Sequence, residues 1–274
     1  MKRLLVSNDD GIDSPALPPL LRALAALGEV RCVVPDGQRS WIGASVSRFA
    51  TVRVSPVELD GRLVHACSGT PADCVNLGIH SLYDDAPDLV VSGINLGLNH
   101  GDAFITSSGT IGAAAEAVAS GLPAVAASLG LARPVESATG PLGEVVRGAR
   151  WDDAAAIVAD VVRAVLDHGL PDDVDLVSVN VPEGATCDTP RCLTTVARTA
   201  YDRLFHPVPG APSSFRAEFG GLRERAPSDA QPHPSDHAVL KEGIVSITPL
   251  RLAQGVALAP AWEAFGAALE QRRR

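Results

Sequence analysis

The chain is expected to fold as an α/β protein, a mostly parallel sheet with helices on both faces. Short apolar runs alternate with segments of helical period over the first two-thirds of its 274 residues. Three polar clusters each follow such a run, at the end of the sheet where open parallel sheets bind ligands. Composition agrees. With 46% hydrophobic residues, mostly Ala, Val and Leu, and 20% charged residues, the chain reads as globular rather than disordered.

Leu4 to Val6 opens the first strand. Ser14 and Pro15 stand as helix cap and first-turn proline, and Leu17, Leu20, Leu21, Leu24 and Leu27 follow at helical spacing up to Gly28. Pro18 and Pro19 would each cost a hydrogen bond beyond the first turn, so the regular helix is expected to begin nearer Pro19. Val30 to Val34 is the second strand, stopped by Pro35, and Val52 to His65 reads as a hairpin around Asp60-Gly61. Thr70-Pro71-Ala72-Asp73 is a helix start with a capping-box acid at Asp73.

Asp88 to Ser92 and Ala124 to Ser128 are further strands, separated by an alanine-rich helix from Gly109 to Ser120. Ile157 to Leu166 marks another helix and Leu176 to Val181 another strand. From Pro182 to Pro234 the chain is rich in Pro, Gly, Ser and Arg without periodicity. "AVLKEGIVSITPL" restores a strand-like run, and Ala259 to Arg273 reads as a last helix. The whole is expected as one domain: a core over about 1–182 with the C-terminal helix, and an extension over about 183–250.

The net charge of −9 argues against a nucleic-acid coating role, which wants a basic face. The odd set Cys32, Cys67, Cys74, Cys187 and Cys192 completes no zinc pattern and suits a reducing compartment. There is no signal-peptide pattern and no apolar run long enough to span a membrane, so the expected location is cytoplasmic. His65 and His80 are expected as structural histidines; His206, His233 and His237 fall in or near the extension.

The polar clusters are Asn8-Asp9-Asp10, then Asp36, Gln38, Arg39 and Ser40, then Gly93, Asn95, Asn99 and Asp102. Adjacent carboxylates such as Asp9 and Asp10 repel unless a cation or water intervenes. Carboxylate, hydroxyl and amide oxygens suit magnesium, manganese or calcium. Asp9 and Asp10 are the foremost ligand candidates, and Ser40 and Asn95 can add neutral oxygens. Spacing alone leaves Asp36 and Asp102 open as ligands. In "TSSGTIGAAAEA", Ser107, Ser108, Gly109 and Thr110 lead into a helix whose free N–H groups suit a phosphate. Cation site beside anion site is the constellation of phosphoryl hydrolysis.

Eight ordered segments resemble the stationary-phase survival protein SurE family: "LLVSNDDGIDSP", "VVPDGQRSWIGAS", "GTPADCV", "DLVVSGINLGLNHGD", "SGTIGAAAEA", "LPAVAASL", "VNVP" and "GIVSITPL". The resemblance implies a Rossmann-like three-layer core, and C-terminal arms that build a homodimer or homotetramer. It implies one divalent metal ion (Mg, Mn or Ca) on Asp9, Asp10, Ser40 and Asn95. Phosphate would be held by Asn99 and the Ser108-Gly109-Thr110 stretch, with Ser107 or Ser108 facing it because the preceding loop is one residue longer than the family pattern.

The implied activity is hydrolysis of nucleoside 5′- or 3′-monophosphates, with polyphosphate as a further substrate to test. Asp9 or Asp10 would take the proton of the attacking water. A serine-nucleophile route ranks lower because no base stands beside Ser108. The alternative outside catalysis is a metal- and nucleotide-binding sensor using the same pocket. Trp41, where the family has a smaller residue, would cover the pocket, and Leu131 to Trp151 reads as an insertion.

Overall fold

A computed structural model describes residues 1–131, 149–225 and 232–252. The chain runs β1 (Arg3–Ser7), α1 (Leu17–Ala25), β2 (Glu29–Pro35), β3 (Val54–Leu59), β4 (Arg62–Cys67), α2 (Pro71–His80), β5 (Leu89–Leu96), α3 (Gly101–Ser107), α4 (Gly109–Ala119) and β6 (Ala124–Leu129). It continues through α5 (Trp151–His168), β7 (Leu176–Val181), β8 (Arg191–Leu193), β9 (Thr199–Tyr201), β10 (Phe205–Pro207), β11 (Phe215–Ala217), β12 (Leu222–Glu224), α6 (Asp236–Lys241) and β13 (Val245–Leu250).

A nine-stranded sheet has the order β3-β4-β2-β1-β5-β6-β7-β13-β8. The six strands from β4 to β7 run parallel, β3 is antiparallel to β4, and β13 is antiparallel to β7. This is the expected α/β class. The chain leaves β1 toward β2 on one side and β5 toward β6 on the other, so the topological switch point lies between β1 and β5.

Period-two alternation builds a core on each face. Leu4, Val6, Val91, Val125 and Val179 meet α1 and α5 through Leu17, Leu20, Leu21, Leu24, Ile157 and Val158. Leu5, Val33, Val90 and Ala126 meet α2 and α4 through Val75, Ile79, Ile111 and Ala114. The four named leucines of α1 are no more than 1% exposed, and burial of each contributes roughly 2 kcal/mol. Alanine dominates α4, and its small side chains let it lie close to the sheet and to α2.

Several local expectations are corrected. Helix α1 begins at Leu17 after Ala16, with no side-chain cap, so Ser14 is not its cap. Pro18 and Pro19 then fall in the first turn, whose N–H groups have no helical partner, and the helix tolerates both. The hairpin turns at Asp60 and Gly61 as expected, both at positive φ, but its strands span 54–67 rather than 52–65.

Strand β5 does not stop at Ser92. A register shift between Ser92 and Asn95 lets it continue to Leu96, which pairs Asn95 with Ser128 of β6. Helix α3 occupies a stretch expected as loop. The stretch 183–250 is not all extension: β13 and β8 join the main sheet, while β10 with β11 and β9 with β12 form two-stranded ribbons. The expected last helix, and 132–148 of the expected insertion, lie outside the described residues; Trp151 itself opens α5.

Candidate metal and phosphate site at the switch point

The sequence Asn8-Asp9-Asp10-Gly11 leaves β1 as a closed turn. Asn8 Oδ1 accepts from the Gly11 amide at 3.0 Å, and Asn8 Nδ2 donates to the Gly11 carbonyl at 3.1 Å. Gly11 sits at φ 88°, and a Cβ there would stand 2.8 Å from the Gly37 backbone. Only glycine accommodates both constraints. The turn is thereby pressed against the loop after β2. The Arg39 amide donates to the Asp9 carbonyl at 2.6 Å, which ties the Ser40 loop to the first carboxylate.

Asp9 is 4% exposed, and its Oδ1 accepts from Thr110 Oγ1 at 2.7 Å. Thr110 Oγ1 in turn accepts from Asn99 Nδ2 at 3.3 Å, and Asn99 Nδ2 also donates to Ser128 Oγ at 3.0 Å. Asp10 Oδ2 accepts from the Leu96 amide at 2.9 Å, at the end of β5. Burial pushes the Asp9 carboxyl up to about 6, against the lowering hydrogen bond from Thr110. A carboxylate held in so dry a place gains most from a cation beside it.

Helix α4 begins against this group. Ser108 is its N-cap, with Oγ accepting from the Ile111 amide at 3.1 Å. A Cβ on Gly109 would lie 2.8 Å from Asp9 Oδ2, so the glycine brings the helix N-terminus onto the carboxylate. Ser107 Oγ donates back to the Ala103 carbonyl at 3.2 Å, inside α3.

A cavity of about 240 Å³ collects these parts, and Asp9, Ser40, Asn95, Asn99, Ser107 and Ser108 line it together. Asp10, Gly109 and Thr110 are not among its lining residues. Thr110 is fully buried, and its hydroxyl is turned to Asp9 rather than into the cavity. Asp36 pairs with Arg39 at 2.7 Å and does not line the cavity. Asp102 is turned to the Thr199 amide at 2.7 Å and to Arg225 at 2.8 Å, a tie between α3 and the 199–225 segment. Neither belongs to the ligand cluster.

Trp41, Phe104 and Phe219 form the aromatic part of the wall. No histidine lines it among the described residues: His65 meets Tyr83 at 3.2 Å and His80 meets Ser120 at 3.1 Å, the expected structural roles.

Sequence reasoning missed Asn180, Phe104 and Phe219, and weighed Asp236 only as a hinge or interface contact. Asn180 accepts from the Asn99 amide at 2.7 Å and fixes the loop after β5; an amide in the apolar run "LVSVNV" was its signal. Asp236 accepts from the amides of Gly101 at 2.8 Å and Ala197 at 2.9 Å. Phe219 lies in a stretch without periodicity and gave no signal.

Among the described residues lining the cavity, Asp9 is the only charged one. The donor set suits a hard divalent ion: two carboxylates with one oxygen each anchored by a named donor, beside a hydroxyl and an amide.

A doubly wound sheet with an oxygen-lined cavity at its switch point defines an α/β protein of the small-ligand-binding class. The family model described as Survival protein SurE matches residues 4–203. The 5′-nucleotidase SurE of Methanocella arvoryzae is 38% identical over 91% of this chain and 92% of its own length. That of Methanothrix thermoacetophila is 40% identical over 92% and 93%. The crystal structure of the SurE protein from Aquifex aeolicus superposes with a TM-score of 0.72 at 28% identity, covering 98% of this chain and 99% of that one. The chain belongs to the SurE family.

Proposed function

We propose that the chain is a metal-dependent phosphomonoesterase that releases phosphate from nucleoside 5′-monophosphates, with 3′-monophosphates and polyphosphate ends as further substrates. The charge of the cavity supports this reading: among the described residues that line it, the charged one is a buried carboxylate, Asp9. A phosphate dianion placed there is repelled unless a cation stands between, and the oxygens of Asp9, Asp10, Ser40 and Asn95 are those that would hold one. The relatives named 5′-nucleotidase SurE support the substrate class.

A bound divalent ion supplies Lewis-acid chemistry, drawing charge from phosphoryl oxygens and acidifying water. The chain's own residues do the rest. Thr110 and the Leu96 amide keep one oxygen of each carboxylate turned inward. Ser108 Oγ accepts from Ile111, so its hydroxyl proton is free to donate to a phosphate oxygen. Ser107 spends its proton on a backbone carbonyl, which favours Ser108 as the donor. The α4 N-terminus adds backbone N–H groups to hold the oxyanion. Asp9 or Asp10 would accept the proton from water, and burial makes Asp9 a stronger base than an ordinary carboxylate. The homodimer or dimer of dimers remains part of this reading, supported by Phe205 and Phe215, 60% and 61% exposed on the β10–β11 ribbon.

Phosphate release from 5′-AMP, 3′-AMP and polyphosphate, measured with magnesium, manganese or calcium and with chelator, tests the proposal. Hydrolysis is expected with metal only, and Asp9→Asn should abolish it. Full activity in chelator or in that variant sinks the reading, and nucleotide binding without release converts it to a sensor.

A further inference from the structure

We propose that Trp41, Phe104 and Phe219 form a nucleobase platform at the aromatic end of the cavity, one that selects for a base without discriminating among bases. The inference rests on the nucleotidase reading. Trp41 packs edge-on against Phe104 at 5.8 Å, Tyr201 at 5.7 Å and Phe219 at 5.7 Å, and Phe104 lies 5.3 Å from Phe219. The rings come from four separate segments: the loop after β2, helix α3, strand β9 and the stretch between β11 and β12. Three of them line the same cavity as Asp9 and Ser108.

A merely structural cluster would bury its largest ring. Trp41 is instead 37% exposed despite three ring contacts, and its backbone sits at φ 60°, a conformation disfavoured for a bulky residue. The indole follows Ser40 directly in the chain and lines the same cavity.

The rest of the wall explains why recognition would be by face rather than by edge. Leu96, Leu98 and Leu131 supply apolar surface. The three amide side chains of the wall already donate within the protein: Gln38 to Ser40 Oγ at 3.0 Å, Asn95 to the Gly97 carbonyl at 2.7 Å, and Asn99 to Thr110 and Ser128. These bonds fix the amide planes in the protein's own service, Asn99 committing both of its protons, whereas every base offers a π-face to the aromatic rings. Stacking on one aromatic residue is worth about tenfold or more in binding, whatever the base.

The test compares kcat/KM for AMP, UMP and ribose 5-phosphate, the last keeping the phosphate and sugar without the base. The unmodified protein should prefer both nucleotides over ribose 5-phosphate by about tenfold or more. Trp41→Asn removes the ring and suits a positive φ; it should lower the nucleotide-to-ribose 5-phosphate ratio by a similar factor through KM. Trp41→Phe should restore most of it. Phe219→Leu, in a different segment, should move the ratio the same way and serves if the first variant does not fold. Adenosine, which needs no variant, should inhibit ribose 5-phosphate hydrolysis competitively.

No preference for nucleotides, equal losses on all three substrates, or no inhibition by adenosine overturns the platform and leaves the phosphatase reading standing. No metal-dependent release from any of the three overturns that reading itself.

Discussion

Thr110 reaches the site from inside α4 without touching the cavity. Its hydroxyl both donates to Asp9 and accepts from Asn99, so one side chain orients a buried carboxylate and a neighbouring amide. Thr110→Val keeps the volume and removes both hydrogen bonds. The carboxylate then keeps its burial and loses its anchor, and metal affinity and kcat/KM should fall about 10–100-fold, as for other partners of ligating groups. Titration with manganese alongside phosphate release would check this, and unchanged metal affinity would remove Thr110 from the positioning role. Sequence reading placed this threonine against phosphate because it sees only that a hydroxyl stands near a helix start. Which way the hydroxyl turns depends on Asp9, 101 residues away, and on the close approach that Gly109 permits.

Helix α2 shows how an element can be fully legible and still do more than the pattern says. The capping box expected from Thr70 and Asp73 is present, with Thr70 Oγ1 accepting from the Asp73 amide at 3.1 Å and Asp73 Oδ2 accepting from the Thr70 amide at 2.8 Å. Both residues also grip the loop that follows Trp41. Thr70 Oγ1 donates to the Ser45 carbonyl at 2.6 Å, and Asp73 Oδ1 accepts from the Ser47 amide at 3.0 Å. Thr70→Ala should therefore cost about 1–2 kcal/mol in urea unfolding, and Thr70→Ser should recover most of it. Equal stability of the alanine variant would show that Asp73 alone holds the loop.

Elements defined by local chemistry, such as this helix and the Asp60-Gly61 hairpin, were readable. The strand-end rule likewise brought Asp9, Asp10, Ser40 and Asn95 to one edge. Helix α3, the continuation of β5 to Asn95 and the ribbons after Pro182 were not readable. Their partners, Thr199, Ser128 and the facing ribbon strands, lie far away in the chain or carry no periodic signal.

At the scale of the whole molecule, the C-terminal part is locked to the site by buried polar groups. His100 lies 9% exposed with Nδ1 unpartnered among the described residues, its ring 4.9 Å from that of His237. Burial, then the nearby His237 and Lys241, push His100 down to about 4. Between its ordinary value of 6.5 and that value the unfolded chain takes up a proton and the native one does not, so stability falls as pH drops through this window. The slope from this group is at most about 1.4 kcal/mol per pH unit. Buried Asp236 next to His237 is pushed up by burial and acts in the opposite sense, so parent and His100→Leu should be compared directly. Urea unfolding from pH 6.5 to 4.5 should show a shallower acid loss in the variant; identical slopes would exclude His100 as the source.

Asp236 carries one more consequence, in the order of events during synthesis. It closes on Gly101 from 135 residues further along the chain. The oxygens of Asp9, Ser40, Asn95 and Ser108 can come together once β6, whose Ser128 pairs with Asn95, has left the ribosome. Helix α3, which carries one aromatic wall of the cavity, takes N–H partners from Ala197 and Thr199 first, and its Gly101 amide gains Asp236 only when residue 236 emerges. At 5–20 residues per second that delay is on the order of ten seconds. The wall of the cavity is thus tied down in stages, the Gly101 end of α3 being fixed well after the turn that follows β1.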